Sequence, residues 1–261
     1  MQKRHLDRQQ YFSEQTITTR KYVLPYIETH KPLLPGARVL EIGCGEGGNI
    51  PPFLERNCEV VGIDILERKI EKARQFTEDH PRRDHLSLIT QDIYEATPEG
   101  LGQFDLIVMR DVIEHIPDQQ RFMAFLQPFL KKDGLIFFGF PPWYMPFGGH
   151  QQVCKNKLLS VLPWYHLLPV PLYRLILRAG GESENKINSL LANKRTGISI
   201  ERFERILRKL NYQIVDRTLY LLNPNYEVKF HLKPRKQLPV LRDIPFFRNF
   251  WTTCGYYLVK K

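Results

Sequence analysis

Through the first 140 positions, apolar runs of seven or eight residues alternate with longer stretches of mixed polarity. ARVLEIG (37–43) predicts a buried strand that ends at a glycine. CEVVGID (58–64), LSLITQD (86–92), FDLIVMRD (104–111) and GLIFFGF (134–140) predict four more. Between them lie helical patterns at 48–57, with prolines in the first turn where a missing N–H costs little, and at 67–79. A third helix is expected over 118–130, closed early by Pro128. An opening helix is predicted from Ser13, as its cap, to His30, with Ile17, Leu24 and Ile27 on its apolar side. Short strands alternating with helices specify a parallel, doubly wound sheet.

The rhythm changes after residue 140. Residues 141–198 are rich in proline, suggest no strand and include a polar loop at 178–186. It then returns with a helix at 199–210 and strands at 212–222 and 252–261, which brings the strand count to seven. A basic excursion at 223–250 separates the last two strands. The chain therefore divides into an N-terminal helical part (1–36), a core (37–142), an insertion after strand five (143–198) and a C-terminal part of the core (199–261).

Charge sharpens this division. The net charge of +10 splits into −3 for residues 1–142 (18 Lys/Arg, 21 Asp/Glu) and +13 for residues 143–261 (20 against 7). The basic half suits an anionic small molecule, a lipid headgroup or nucleic acid, or is a solvated surface. The four cysteines, at 44, 58, 154 and 254, form no CxxC pair and no His/Cys cluster has zinc spacing, so a reduced, cytoplasmic protein without a metal is expected. The most apolar segment, 158–177, holds three prolines, a histidine and an arginine. That fits a cap over an apolar pocket, or a surface that touches lipid, better than a membrane span.

The chemistry concentrates in VLEIGCGEGGN (39–49), where a buried strand runs into Gly43, Gly45 and Gly47 and then a helix. Glycines let the chain turn tightly and let a ligand lie against backbone N–H groups at the helix start. Such a loop serves a dinucleotide, ATP or another adenosine ligand, and Gly43, Gly45 and Gly48 also satisfy the dinucleotide spacing GxGxxG. Asp64 ends the second strand about 20 residues on, where a carboxylate can accept two ribose hydroxyls. Asp92 ends the third, where it can accept an adenine amino group. Each alone could be a helix cap; a succession of them on one sheet edge points to a nucleoside.

The segments EIGCGEG, GIDI, TQDI, FDLIVMRDVIEHI and LKKDGLIFFGFPP resemble class I S-adenosylmethionine-dependent methyltransferases, in particular the broad small-molecule branch that includes quinone- and lipid-type enzymes. The resemblance covers residues 37–142, and 199–261 through topology. It implies an α/β Rossmann-like sheet of seven mostly parallel strands with helices on both faces, an antiparallel last strand and a helical cap after strand five. It implies S-adenosylmethionine as cofactor. Glu41, Gly43, Cys44, Gly45 and Gly47 would hold its methionine part, with Arg110 near the amino-acid end. Asp64 would hold the ribose, with Ile65 packed on the adenine, and Asp92 and Ile93 would read the adenine edge. An N-terminal lid is common in the family; Tyr11, Arg20 and Tyr22 are candidates for it here.

Methyl transfer from a sulfonium is an in-line displacement with a good neutral leaving group, so alignment does much of the work and no metal is required. A hydroxyl or amine acceptor can still need a base. The candidates at the sheet edge are His150, Tyr144, His115 and Asp111, whereas His166, in an apolar stretch, is expected to pack. FPPW (140–143) is similar to the tetrapeptide of enzymes that methylate planar amino groups. It follows strand five instead of strand four, however, and Phe140 replaces the polar first residue, which argues against that class. The aromatic mouth (Trp143, Tyr144, Phe147) and the apolar insertion point to an amphipathic small-molecule or lipid-like acceptor with peripheral membrane contact, and the basic residues beside them to an anionic one. An RNA- or protein-directed methyltransferase and a non-catalytic cofactor-binding protein are the alternatives; no RNP, KH or zinc module supports nucleic acid.

Overall fold

A computed structural model describes residues 7–261. The parallel strands are β1 (Arg38–Ile42), β2 (Glu59–Asp64), β3 (Leu86–Thr90), β4 (Phe104–Arg110) and β5 (Leu130–Phe140). With β6 (Gln213–Leu222), β7 (Arg235–Lys236) and β8 (Cys254–Lys260) they form one sheet of order β3-β2-β1-β4-β5-β8-β6-β7. β8 runs antiparallel to both β5 and β6, as expected of the last strand. Among the described residues there are eight strands, not seven: the basic excursion adds the two-residue edge strand β7, antiparallel to β6. So short a strand lacks the apolar alternation that would have announced it.

The strands read as unbroken apolar runs because both faces are buried. Along β4, Leu106 and Val108 enter one core while Ile107 and Met109 enter the other; Leu135 and Phe137 of β5 likewise face away from Ile136 and Phe138. The opening helix comprises α1 (Arg8–Thr18), a π-helical turn over Thr19–Val23 and α2 (Leu24–Glu28). Its cap is Asp7, whose carboxylate accepts from the Gln10 N–H, so Ser13 is an interior residue. The glycine loop leads into one turn, α3 (Pro51–Leu54), not the ten-residue helix expected. The elements α4 (Glu67–Phe76), α5 (Pro98–Leu101) and α6 (Gln119–Leu126) follow. α6 ends before Pro128, which sits in a 3-10 turn.

Residues 143–198 build a helical unit with a small apolar core of its own. It contains α7 (Lys157–Val161), α8 (Val170–Ala179) and α9 (Glu184–Thr196). α9 takes in the end of the expected polar loop, since Ser183 caps it by accepting from the Lys186 N–H. The sheet resumes through α10 (Ile200–Lys209), and the excursion carries α11 (Asn225–Phe230), α12 (Pro239–Arg242) and α13 (Phe247–Phe250). Part of its positive charge is spent internally. Arg248 pairs with Glu201 at 2.8 Å and Glu204 at 2.9 Å, and Glu204 also pairs with Arg217 of β6 at 3.0 Å. Among the described residues no helix is long and apolar enough to cross a membrane.

Candidate active site

The C-terminal ends of β1, β2 and β3 and the turn after β4 enclose a cavity of about 430 Å³. Its apolar wall is Ile42, Ile63, Ile65, Leu66, Ile93, Val112 and Phe122; its polar rim is Asp64, Lys69, Gln91, Asp92, Asp111 and His115. Gly43 stands where β1 meets the cavity, at φ +66°, with space for no side chain: a Cβ there would lie 2.7 Å from a Val112 methyl. Asp64 accepts from the Gly45 N–H at 2.9 Å and the Leu66 N–H at 3.0 Å, and Lys69 lies 3.6 Å away. Asp92 accepts from the Tyr94 N–H at 3.0 Å. Both carboxylates thus cap local turns and also line the cavity.

Behind the glycine loop lies a buried polar chain. Asn49 donates to Glu41 at 2.7 Å, and its carbonyl oxygen accepts from Arg110 at 2.9 Å and Thr19 at 2.8 Å. Burial pushes Glu41 up to about 7, against the opposing pull of the Asn49 hydrogen bond and the Arg110 charge. One Glu41 oxygen has no hydrogen-bond partner. The N-terminal helix is latched to the loop: Arg8 pairs with Glu46 at 2.8 Å, and Thr16 donates to the Gly48 carbonyl at 2.8 Å. A Cβ on Gly48 would meet Gln15 at 2.4 Å, so this glycine admits α1. Of the lid candidates, Tyr11 is held by burial and then by the charges of Asp111 and Arg110, whereas Arg20 pairs with Glu55 and Tyr22 with Glu227.

The catalytic candidates divide. Asp111 and His115 line the cavity. The His150 ring packs on the His115 ring with centroids 4.9 Å apart, so the swing through Gly148 and Gly149 brings the two histidines together. His150 is pushed down to about 4, by loss of hydration first and then by His115 and His166. Tyr144 is elsewhere: its ring packs on Phe246 and Phe250 of the excursion. His166 is buried and bonded to the Trp143 carbonyl at 2.9 Å, the packing role expected of it. Sequence reasoning missed Glu114, buried beside His115, and Asn49, the hub of the polar chain. Their only signals were adjacency: Glu114 precedes His115, and Asn49 closes the glycine run.

The Methyltransferase domain family matches residues 9–169, more than half of the chain. The chain belongs to the class I S-adenosylmethionine-dependent methyltransferases. The ubiquinone biosynthesis O-methyltransferase of Neisseria meningitidis serogroup A is 30% identical over 170 residues, 60% of this chain and 68% of the relative. The enzyme of the same name from Idiomarina loihiensis is 30% identical over 116 residues, 44% of this chain and 46% of the relative. The latter match spans about half of the relative's length. Solved methyltransferases share the fold. A putative sarcosine dimethylglycine methyltransferase from Galdieria sulphuraria aligns with a TM-score of 0.59 at 12% identity, over 93% of this chain and 85% of that one. Magnesium protoporphyrin IX methyltransferase from Synechocystis PCC 6803, with bound S-adenosylhomocysteine, aligns at 0.52 and 17% identity, over 92% and 81%.

S-adenosylmethionine is the methyltransferase's cofactor, and the cavity fits it. A close-approach glycine, a carboxylate at the end of β2, another at the end of β3 and an apolar slot between them are the groups that an adenosine with a charged tail needs. The GxGxxG pattern is formal here, because Gly48 serves the packing of α1.

Proposed function

We propose that this methyltransferase transfers a methyl group to a hydroxyl oxygen of an amphipathic, quinone- or lipid-type small molecule. The observation that carries this reading is a pair of histidines beside the cofactor cavity, His115 on its wall and His150 packed on His115 from the loop into an apolar helical insertion. The relatives named O-methyltransferases support oxygen as the acceptor atom. When bound, S-adenosylmethionine supplies an electrophilic methyl and a neutral leaving group. Asp64 would accept the ribose hydroxyls, Asp92 and Ile93 the adenine edge, with Ile65 against its face. The backbone of Gly43, Cys44, Gly45 and Gly47, with Glu41, Asn49 and Arg110 behind it, would receive the charged methionine end. Residues 1–36 would serve as a lid and residues 143–198 as the acceptor cap. His115 and His150 would orient the acceptor hydroxyl, with Asp111 beside them. The four cysteines are all buried thiols outside any disulfide, which suits the cytoplasm. Incubation with the cofactor and an alkylated phenol or catechol tests this: mass spectrometry is expected to show a methyl ether, and methylation of an amine or carboxylate analogue alone would count against it.

Glu41 gives this reading a pH signature. Its folded value, raised to about 7, exceeds that of an unfolded carboxylate, so its ionised form costs stability as pH rises through that window. The ammonium of the ligand's amino-acid end favours the carboxylate and expels its proton. Binding of S-adenosylhomocysteine near pH 7 is therefore expected to release part of a proton, and affinity to fall as pH drops toward 5.5. Calorimetry in two buffers of different ionisation enthalpy checks this; the difference disappears in Glu41→Gln.

The membrane part of the proposal rests on α8, which presents Leu172 and Leu175 to solvent. An amphipathic helix with an exposed apolar face is suited to the headgroup boundary of a bilayer. Flotation with vesicles containing anionic lipid is expected to carry the protein, and Leu172→Ser with Leu175→Ser to release it. Equal flotation of the double variant would remove α8 from the account.

A further inference from the structure

The basic excursion does more than lengthen the sheet: its helix α11 is clasped to the opening helix that covers the glycine loop. The Thr18 hydroxyl donates to the Asn225 side-chain oxygen at 3.2 Å. The Glu227 carboxylate accepts from Lys21 at 2.9 Å and from the Tyr22 hydroxyl. One turn on, the Lys229 ammonium stands over the Tyr11 ring, 5.8 Å from its centroid, and the Arg8 guanidinium stands 4.8 Å from the same centroid. Such cation–ring contacts add to the ion pair and hydrogen bonds that join the two helices. The clasp backs onto the cofactor site, since Thr16 and Thr19 of the opening helix bond to the Gly48 carbonyl and to Asn49.

Tyr226 lies between these contacts. It shares a helix face with Lys229 and Phe230, and its ring packs on Phe230 with centroids 5.4 Å apart. Lys229 reaches Tyr11, so this face is the one turned toward the lid. Among the described residues the Tyr226 hydroxyl has no hydrogen-bond partner. Burial pushes its phenol up to about 12, and the Cys254 thiol and the Asp111 carboxylate add to the rise. Tyr11 has the same neighbour: burial raises its phenol first and Asp111 next. Two tyrosines from separate elements therefore stand near Asp111, which lines the cofactor cavity. At neutral pH both keep their protons and can donate a hydrogen bond.

The cofactor's place leaves this side open. With its adenosine at the ends of β2 and β3 and its amino-acid end at Arg110, an acceptor has to approach over β5, β8 and β6. Gly139 of β5 is the strand partner of both Arg110 and Tyr256, and Cys254 of β8 is the partner of Tyr220 of β6. α11 follows directly after β6 and so stands at that edge. We propose that Tyr226 is an acceptor-binding residue of this methyltransferase, donating a hydrogen bond to an oxygen of an aromatic acceptor, and that Glu227 is the positioning residue that holds it there by tying α11 to the lid. Tyr226's role rests on the O-methyl-transfer reading above. The insertion after β5 supplies His150 beside the cavity, and the excursion supplies Tyr226 beside Asp111. A half-buried hydroxyl without a protein partner is a group that a bound oxygen can satisfy. An acceptor with a second oxygen next to the reacting one, as in a catechol, is the class suited to both sets of residues.

Steady-state kinetics with saturating S-adenosylmethionine and an alkylated catechol test this. Tyr226→Phe is expected to raise KM for the catechol by about 10-fold, the loss of one hydrogen bond, with kcat within about twofold of the wild type. Calorimetry should give S-adenosylhomocysteine the same affinity for both, which separates an acceptor role from a cofactor one. Glu227→Ala is expected to raise KM in the same direction. The double variant should match Tyr226→Phe alone, because a positioning residue adds nothing once the group it positions is gone. Arg56→Met, which breaks only the exposed pair with Glu28 of α2, is the control and should leave both constants where they were. An unchanged KM in Tyr226→Phe, a cofactor affinity that falls with it, or losses that multiply in the double variant overturns the proposal. If Tyr226→Phe does not fold, Glu227→Ala decides: a raised KM with unchanged cofactor affinity supports the clasp, and an unchanged KM overturns it. A wild type that binds S-adenosylhomocysteine yet leaves the catechol unmethylated overturns the O-methyl-transfer reading and this proposal with it. Turnover of the catechol with a KM that neither substitution moves overturns this proposal alone.

Discussion

Asp64→Asn is expected to lower the affinity for S-adenosylmethionine and S-adenosylhomocysteine by about 100-fold or more while the protein stays folded. The buried carboxylate already accepts two backbone N–H groups, from Gly45 and Leu66, and has Lys69 beside it. It is thus fixed and aimed at the cavity before any ligand arrives. Hydrogen bonds to a charged group contribute about 1.5–3 kcal/mol each, so the loss of two from a ribose amounts to two decades or more. The asparagine keeps one accepting oxygen for the turn, which limits the structural damage. Asp118→Asn is the control: that carboxylate caps α6 by accepting from the Arg121 N–H and does not line the cavity, so affinity should not move. Calorimetry with S-adenosylhomocysteine measures both; equal affinities for Asp64→Asn and wild type would remove Asp64 from the site.

The second large effect lies far from the cofactor. Arg248→Met is expected to destabilise the protein by about 3–5 kcal/mol, seen as a fall of roughly 10 °C in Tm. Arg248 is buried between Glu201 and Glu204, and Glu204 also accepts from the Tyr257 hydroxyl at 2.9 Å and from Arg217. Without the guanidinium, two carboxylates of α10 lose the cation that holds them, and the excursion loses its anchor to the sheet. Restoring balance with Glu204→Gln in the same protein should recover part of the loss. By contrast, Arg178→Met breaks only the exposed pair with Glu184 and should leave Tm where it was. Thermal unfolding of the three variants beside the wild type checks the structural role of this arginine.

That network also shows where sequence reading stops. Five parallel strands were legible because each is a continuous apolar run between two cores, and Gly43, Asp64 and Asp92 were legible because they sit where those runs end. The partners of Arg248 were not, because they are 44 and 47 residues away and no local spacing links them. The same holds for the site beside the cofactor. His115 and His150 are each visible in the sequence, but their ring contact depends on a loop whose path is set by Gly148 and Gly149. Neither glycine has space for a side chain, since a Cβ on Gly149 would lie 2.4 Å from His166. Tyr144 illustrates the converse. As the neighbour of Trp143 after β5 it was a reasonable candidate, yet Phe246 and Phe250, a hundred positions on, supply the aromatic surface it packs against. Ser13 failed as a cap because Asp7 gives the helix an earlier start with a better acceptor.

The most direct test of the central claim is the destination of the methyl group. Purified protein is incubated with methyl-tritiated S-adenosylmethionine and, in parallel, with an alkylated catechol, with mixed RNA and with mixed denatured protein. The account predicts tritium in the solvent-extractable small-molecule fraction as a base-stable methyl ether. Tritium confined to the RNA or the protein fraction would contradict it.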